Sequence, residues 1–141
     1  MSKMNFNDYG RCMATYNSWQ NGVLFDLCEQ IGDVERRKDR GMFFGSIHNT
    51  LNHILYVDLR ILTILRTGEA GPFQPTSIVA DDFETLKAMR NEVDAEITEF
   101  VEGTDHSWQD EIRELPFPDG VTRKLPRQLF LVQLFNHQTH H

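Results

Sequence analysis

The sequence predicts an all-α fold, namely a four-helix bundle with a small β-hairpin between the third and fourth helices. Three long segments and a shorter last one carry apolar residues at three- and four-residue spacing, which is the period of an amphipathic helix. Before the last segment, the hairpin dipeptide Asp119-Gly120 stands next to two prolines. The 141 residues suit a single domain spanning 1–141.

The first helix is predicted from Phe6 to Ile31, with Gly32 as its C-terminal cap because glycine adopts the left-handed conformation without steric cost. The charged run 33–40 is then expected to be a solvated loop. The apolar residues of this helix form one stripe, which we expect to face the core: Tyr9, Met13, Tyr16, Val23, Leu27 and Ile31, widened by Trp19 and Leu24.

The second helix is predicted to begin near Phe44 or Ser46 and to continue to Arg66, with Gly68 as its stop. Its apolar residues form a broad arc, and Asp58 lies inside that arc. Burying a carboxylate costs free energy unless it is paired or hydrogen-bonded. We therefore expect an arginine, a histidine or a helix-capping group to contact Asp58.

A proline- and glycine-containing loop over 68–80 leads to the third helix, which Asp81 or Asp82 caps and which continues to about Glu102. Either Met89 or Arg90 belongs to its inner face. After the hairpin, whose return strand is predicted over 121–125, Pro126 is expected at the first position of the fourth helix, where its missing N–H does no harm. That helix is predicted to reach the end of the chain.

Charge and hydropathy exclude several classes of function. The net charge is −7, and such an acidic surface repels phosphate backbones and anionic lipid, so we expect no nucleic-acid or membrane binding. The N-terminus has no signal-peptide pattern, and no apolar run approaches the ~20 residues of a membrane span. Cys12 and Cys28 lie ~24 Å apart on one helix and cannot form a disulfide. Free thiols indicate a cytoplasmic protein.

The histidines carry the main functional indication. Phe130, Leu134, His137 and His141 step by four, three and four residues, so the two histidines continue the inward stripe of the fourth helix. Their i, i+4 spacing places them on one side, where they can share a metal ion. His140 points about 100° away from His141 and is less suited as a ligand.

Two histidines do not complete a metal site, since a catalytic zinc usually has three protein ligands. His48, His53 and His106 remain as candidates for the third ligand. His48 and His53 lie about 140° apart on the helical wheel, at opposite edges of the apolar arc, so periodicity does not choose between them. An alternative interpretation makes His137 and His141 hydrogen-bonded core residues of a bundle without a metal.

Residues 43–55 with Asp58, the terminal segment 136–141 and the tract 16–21 together resemble the DinB/YfiT-like family of damage-inducible metalloenzymes. The resemblance covers essentially the whole chain. It implies an up-down-down-up bundle, a homodimer, and a divalent metal, Ni²⁺ or Zn²⁺, held by His53, His137 and His141. His48 then becomes a residue that supports the metal ligands or lines the pocket, and Asp58 becomes a structural or orienting carboxylate.

The resemblance also implies a small-molecule substrate and two classes of reaction. One is a transferase that uses a low-molecular-weight thiol, and the other is a hydrolase. His48, Tyr56 and Asp58 are candidates for a general base only because they are close in sequence to His53. The competing hypothesis is a non-catalytic dimeric bundle with structural histidines. Family members continue past the last histidine, so we expect the functional protein to extend beyond His141.

Overall fold

Four helices and a two-stranded hairpin make up the molecule. The computed structural model describes residues 3–141, apart from the side chain of His106. The elements are α1 (Phe6–Arg37), α2 (Ile47–Thr67), α3 (Phe83–Gly103), β1 (Ile112–Pro116), β2 (Thr122–Pro126) and α4 (Gln128–His140), with a short 3-10 helix at His106–Trp108. The predicted helical bundle with a hairpin before the last helix is confirmed. Within the described range, no helix combines the length and apolarity needed to cross a bilayer.

Side-chain caps define the beginnings of three helices. Asn5 forms a reciprocal capping box with Asp8 at the start of α1. Ser46 caps α2, and Asp82, one of the two predicted residues, caps α3. At the end of α2, Gly68 adopts the predicted left-handed conformation with φ 78°. The boundaries of α2 and α3 therefore follow from local chemistry that is visible in the sequence.

The first helical segment of α1 breaks at Gly32, where the end of the first helix was predicted, but a second helical segment continues across this kink to Arg37. The solvated loop predicted over 33–40 is therefore wrong for residues 33–37. Gly32 does take the left-handed conformation, with φ 80°. The residues beyond it remain helical because Arg36 turns back, donates to the Cys28 carbonyl at 2.7 Å and lies 3.8 Å above the Phe83 ring. Arg37 adds ion pairs to Asp33 and Asp81.

The predicted inner face of α1 is also wrong in most positions. Tyr9 and Met13 pack against the core, whereas the other residues of the apolar stripe are exposed: Tyr16, Trp19, Val23, Leu24, Leu27 and Ile31. The buried face instead consists mostly of small and polar residues, with Phe25 as its large apolar member: Asn7, Gly10, Ala14, Asn17, Asn21, Phe25 and Cys28. At Gly10 this face lies against Val101 and Leu131, each 3.5 Å from the position that a Cβ would occupy.

The hairpin is confirmed, with β1 and β2 antiparallel and Glu114 opposite Lys124. Pro126, however, does not open α4. It is the last residue of β2, where it pairs with Ile112, and the helix begins at Gln128. The junction is tight because the Arg127 N–H donates to the Glu111 carbonyl at 2.7 Å. The Arg127 guanidinium also donates to the Leu65 carbonyl at the end of α2, which fixes the start of α4 against that helix.

The core lies between the four helices, and its least exposed side chains are aliphatic, among them Leu55, Leu65, Leu86, Ile97 and Leu134. The start of α2 meets the end of α4, and the end of α2 meets the start of α4, as the pairs His53–His137 and Leu65–Arg127 show. The two helices are therefore antiparallel neighbours, and this arrangement positions the histidines.

Candidate metal centre

Three histidines converge where α2 begins and α4 ends. His53 lies in the second turn of α2, and His137 and His141 lie at the C-terminal end of α4. The Nε2 atoms of His53 and His137 are 3.1 Å apart, and one ring nitrogen of each of the three residues lies within 4.8 Å of the others. The structure thus brings together the three side chains that the family resemblance implied.

A backbone carbonyl orients His53. The Nδ1 atom lies 2.7 Å from the carbonyl oxygen of Pro75. Because a carbonyl only accepts hydrogen bonds, Nδ1 carries the proton, and the lone pair of Nε2 faces the other histidines. The ring of Phe44 stacks on the imidazole with 4.0 Å between centroids. His53 is therefore fixed in both tautomer and ring orientation, as is common for metal-binding histidines.

Burial keeps the cluster uncharged. Desolvation of the imidazole, together with the neighbouring histidines His141 and His53, lowers the pKa of His137 to about 4. Desolvation likewise lowers the pKa of His53 and of His141 below the ordinary histidine value. Near pH 7 all three rings are neutral, which is the form that binds a metal ion.

The donor set fits a divalent transition metal. Tetrahedral coordination with Zn–N bonds of about 2.0–2.1 Å places ligand nitrogens roughly 3.3 Å apart. The separation of 3.1 Å between His53 and His137 is close to that value. Three imidazoles suit Zn²⁺ or Ni²⁺ and leave further coordination positions for other ligands.

Behind the cluster, Asp58 belongs to a buried ionic network. Its carboxylate accepts from Arg90 at 2.7 Å, and Arg90 also donates to Asp94 at 2.6 Å. An arginine was one of the three partners predicted for Asp58. Complete burial nevertheless raises the pKa of Asp58 to about 7, although the Arg90 charge opposes the shift. One guanidinium serves two carboxylates here, and desolvation also raises the pKa of Asp94.

Gln138 connects this network to α4. Its amide nitrogen donates to Asp58 at 2.5 Å, and its side-chain oxygen accepts from Asn21 of α1 at 3.0 Å. Because Gln138 lies directly after His137 in α4, these bonds fix the rotation of the helix end that carries both histidines. Asp58 is thus linked to the histidine cluster through Gln138.

His48 and Tyr56 have their partners away from the cluster, whereas His140 contacts it. His48 is buried with Nε2 3.3 Å from the Asn52 amide and 3.7 Å from Asp81. The Tyr56 hydroxyl donates to the Pro72 carbonyl at 3.2 Å and accepts from the Gln74 N–H at 2.8 Å. The ring of His140 touches that of His141, with 4.8 Å between centroids. The side chain of His106 is outside the described part of the structure.

The sequence analysis missed most of the polar network. Asn17 and Asn21 are both hydrogen-bonded to Asp94, and together with Arg90 and Gln138 they connect all four helices. A usable pattern was present, since Arg90 and Asp94 have the i, i+4 spacing of a helical ion pair. Periodicity did not predict that the asparagines are buried, because the apolar residues on the opposite side of α1 have the stronger helical period.

The model of the DinB family matches residues 1–141. No curated protein matches the chain at a significant level.

Proposed function

We propose that this chain, which belongs to the DinB family, is an enzyme that depends on a divalent metal ion held by His53, His137 and His141. The observation that carries the proposal is the convergence of the three imidazoles, with nitrogen atoms from each within 4.8 Å. The carbonyl of Pro75 supports it further, because it holds His53 in the tautomer that presents Nε2 to the cluster.

A divalent cation in such a site supplies a Lewis acid, which activates water or a thiol as a nucleophile near neutral pH. The protein residues have distinct roles. The three histidines hold the ion, Phe44 and Pro75 orient His53, and the network through Gln138 fixes the end of α4. We assign Asp58 a positioning role, because its carboxylate is fully buried and acts through Gln138.

The reaction is proposed to be nucleophilic attack on a small electrophilic molecule. It is either transfer to a low-molecular-weight thiol or hydrolysis. The two cysteines are unpaired, which fits a reducing cytoplasm where such thiols are abundant. Metal-loaded protein tested with glutathione plus chlorodinitrobenzene, and separately with p-nitrophenyl acetate, distinguishes the two classes by which product forms.

Metal binding tests the proposal directly. Untagged protein purified without a nickel column is stripped with chelator and titrated calorimetrically with Zn²⁺ and with Ni²⁺. We expect one ion per cluster, and at least a hundredfold weaker binding in His53→Ala and His137→Ala, because each removes one of three ligands. His140→Ala is the matched control at the same helix end and should bind like the wild type.

The competing hypothesis is a non-catalytic bundle in which the histidines are structural. It predicts background metal content in the wild type, and a His137→Ala variant that loses stability without changing that content. Either result would overturn the enzyme proposal.

We also propose that the protein is a homodimer. The exposed apolar face of α1 supports this, since Tyr16, Trp19, Val23, Leu27 and Ile31 are 44–63% exposed. With side-chain areas of about 150–250 Å² for aromatic residues and somewhat less for aliphatic ones, the face presents roughly 500 Å². A standard interface buries about 800 Å² per partner, so this face forms most of one.

A further inference from the structure

A cleft extends from the histidine cluster along the groove between α2 and α4. It encloses about 670 Å³, within the range of about 300–1,000 Å³ that is usual for small-molecule sites. His53 and His137 form one end, and Ile64 and Leu129 belong to the other. His53 and Ile64 are eleven residues apart on α2, so the cleft is roughly 16 Å long.

The walls of the cleft are mostly apolar. Val57, Ile61 and Ile64 of α2 face Leu129 and Phe130 of α4. The hairpin closes a third side with apolar residues on both strands and at the turn: Leu115, Pro116, Phe117, Pro118 and Leu125. Apolar walls of this kind bind the hydrocarbon part of a ligand by removing it from water.

The charge in the cleft is opposite to that of the molecule. The chain has 21 acidic and 14 basic residues, yet none of the residues described as lining the cleft is acidic. One of them, Arg60, is cationic. Its guanidinium donates to the Gly71 carbonyl and lies 5.5 Å from the centre of the Phe73 ring, and no carboxylate in the described range pairs with it. Arg60 therefore keeps its charge available in a largely apolar groove.

The position of Arg60 on α2 sets its distance from the histidine cluster. It lies seven residues after His53, so it is on the same face of α2, two turns and about 10 Å along the helix axis. When an anionic group of a ligand pairs with Arg60, the part of that ligand about 10 Å from the anionic group lies next to the histidine cluster.

We propose that the cleft binds an elongated, largely apolar organic anion, whose carboxylate pairs with Arg60 and whose opposite end reaches the histidines. That this ligand is the substrate rests on the proposed function, because the cleft opens on the proposed metal centre. Recognition of the ligand by the cleft does not itself require the metal, since Arg60 and the apolar walls are part of the chain.

Three eight-carbon probes with different head groups test the proposal on metal-free protein: octanoate, octan-1-ol and octylammonium. Binding is measured by calorimetry and by displacement of a fluorescent apolar anion, anilinonaphthalene sulfonate. We expect octanoate to bind at least tenfold more tightly than octanol, and octylammonium to bind most weakly, because a charge-assisted hydrogen bond forms only with the carboxylate.

Variants identify the residues involved. Arg60→Gln should weaken octanoate binding about tenfold and change octanol binding less than twofold. The matched control Arg66→Gln removes a cation from the same helix, but one that is exposed and paired with Glu96, and should leave both affinities unchanged. Leu129→Asp, at a half-exposed lining position, should weaken octanoate through like-charge repulsion.

Equal affinity for octanoate and octanol would overturn the proposal, and so would equal losses in Arg60→Gln and Arg66→Gln. His141→Ala removes a proposed metal ligand that is not among the described residues lining the cleft, and should keep octanoate binding while losing metal. A protein that binds metal but not octanoate would refute only the ligand assignment, whereas one that binds octanoate but no metal would refute only the enzyme proposal.

Discussion

The histidines of the cluster have pKa values that shift in the same direction, because each is partly removed from water. His137 is half-buried among three other imidazoles, and burial lowers its pKa to about 4. His53 shows the same direction for its pKa, with desolvation as the main cause, although the hydrogen bond to Pro75 opposes the shift. Neutral rings at neutral pH suit the cluster to metal binding and make its stability sensitive to acid.

Acid should destabilise the metal-free protein through His137. The unfolded chain takes up a proton near the ordinary histidine pKa of about 6.5, while folded His137 does so only near a pKa of about 4. Stability is therefore lost as the pH falls from about 6.5 toward 4. Between pH 7 and pH 5 we expect the wild type to lose about 1 kcal/mol more than His137→Gln, allowing for partial solvent exposure.

Urea unfolding of both chelator-treated proteins at pH 7 and pH 5 gives this difference. Asp58, whose raised pKa of about 7 has the opposite effect on stability over this range, is present in both proteins and cancels. Identical pH dependence of the free energy of unfolding in the two proteins would show that the pKa of His137 is not lower in the folded protein than in the unfolded chain.

At the residue scale, the sequence predicted the histidine stripe but not every participant. The four-three-four spacing of Phe130, Leu134, His137 and His141 on α4 was visible directly. The choice of His53 over His48 was not, because both lie at edges of the α2 arc. That choice depends on the Pro75 carbonyl, which contacts His53 from a loop whose path periodicity does not describe.

At the element scale, three side chains of α2 bind the loop that follows it. Asn52 accepts hydrogen bonds from the N–H groups of Val79 and Ala80 at 2.8 and 2.9 Å. His53 donates to the Pro75 carbonyl, and the Tyr56 hydroxyl contacts residues 72 and 74. One side of α2 thus holds the loop that, in return, orients the proposed ligand His53.

Asn52→Ala should weaken this loop. The Asn52 side chain has no exposure, and its removal leaves two backbone N–H groups without their acceptor. We expect a loss of about 1–3 kcal/mol in the free energy of unfolding, and weaker Zn²⁺ binding because the Pro75 carbonyl is less well fixed.

Chemical denaturation and Zn²⁺ titration measure the two effects. Asn91→Ala is the matched control, since that asparagine is exposed and lies on α3. Unchanged stability and metal affinity in Asn52→Ala would mean that the loop is held by its other contacts.

The helices differ in how well the sequence predicts them. Boundaries of α2 and α3 were predictable because Ser46, Asp82 and Gly68 act locally. The orientation of α1 was not, because its most apolar face is exposed and its buried face carries asparagines that are useful only beside Asp94. A buried polar face is favourable only when its partners, on another element 70 or more residues away, are present.

At the scale of the whole molecule, the reversed polarity of α1 has a consequence for assembly. The chain as a whole has a net charge of −7, but the exposed apolar face of α1 consists of uncharged residues: Tyr16, Trp19, Val23, Leu27 and Ile31. The first part of this face is aromatic, with the Tyr16 and Trp19 rings 5.7 Å apart, and the later part is aliphatic. Two copies related by a twofold axis near Val23 would place aromatic against aliphatic halves.

Trp19→Asp should convert the proposed dimer to a monomer. Trp19 is 63% exposed in the single chain, so the substitution adds a charge to the face without disturbing the core. An uncompensated carboxylate in an apolar interface is strongly unfavourable, and a symmetric dimer would contain two of them.

Light scattering should give a mass twice 16.4 kDa for the wild type and 16.4 kDa for the variant. Val121→Asp, at an exposed apolar residue of the hairpin, should remain dimeric. A monomeric wild type, or a dimeric Trp19→Asp protein, would remove α1 as the interface.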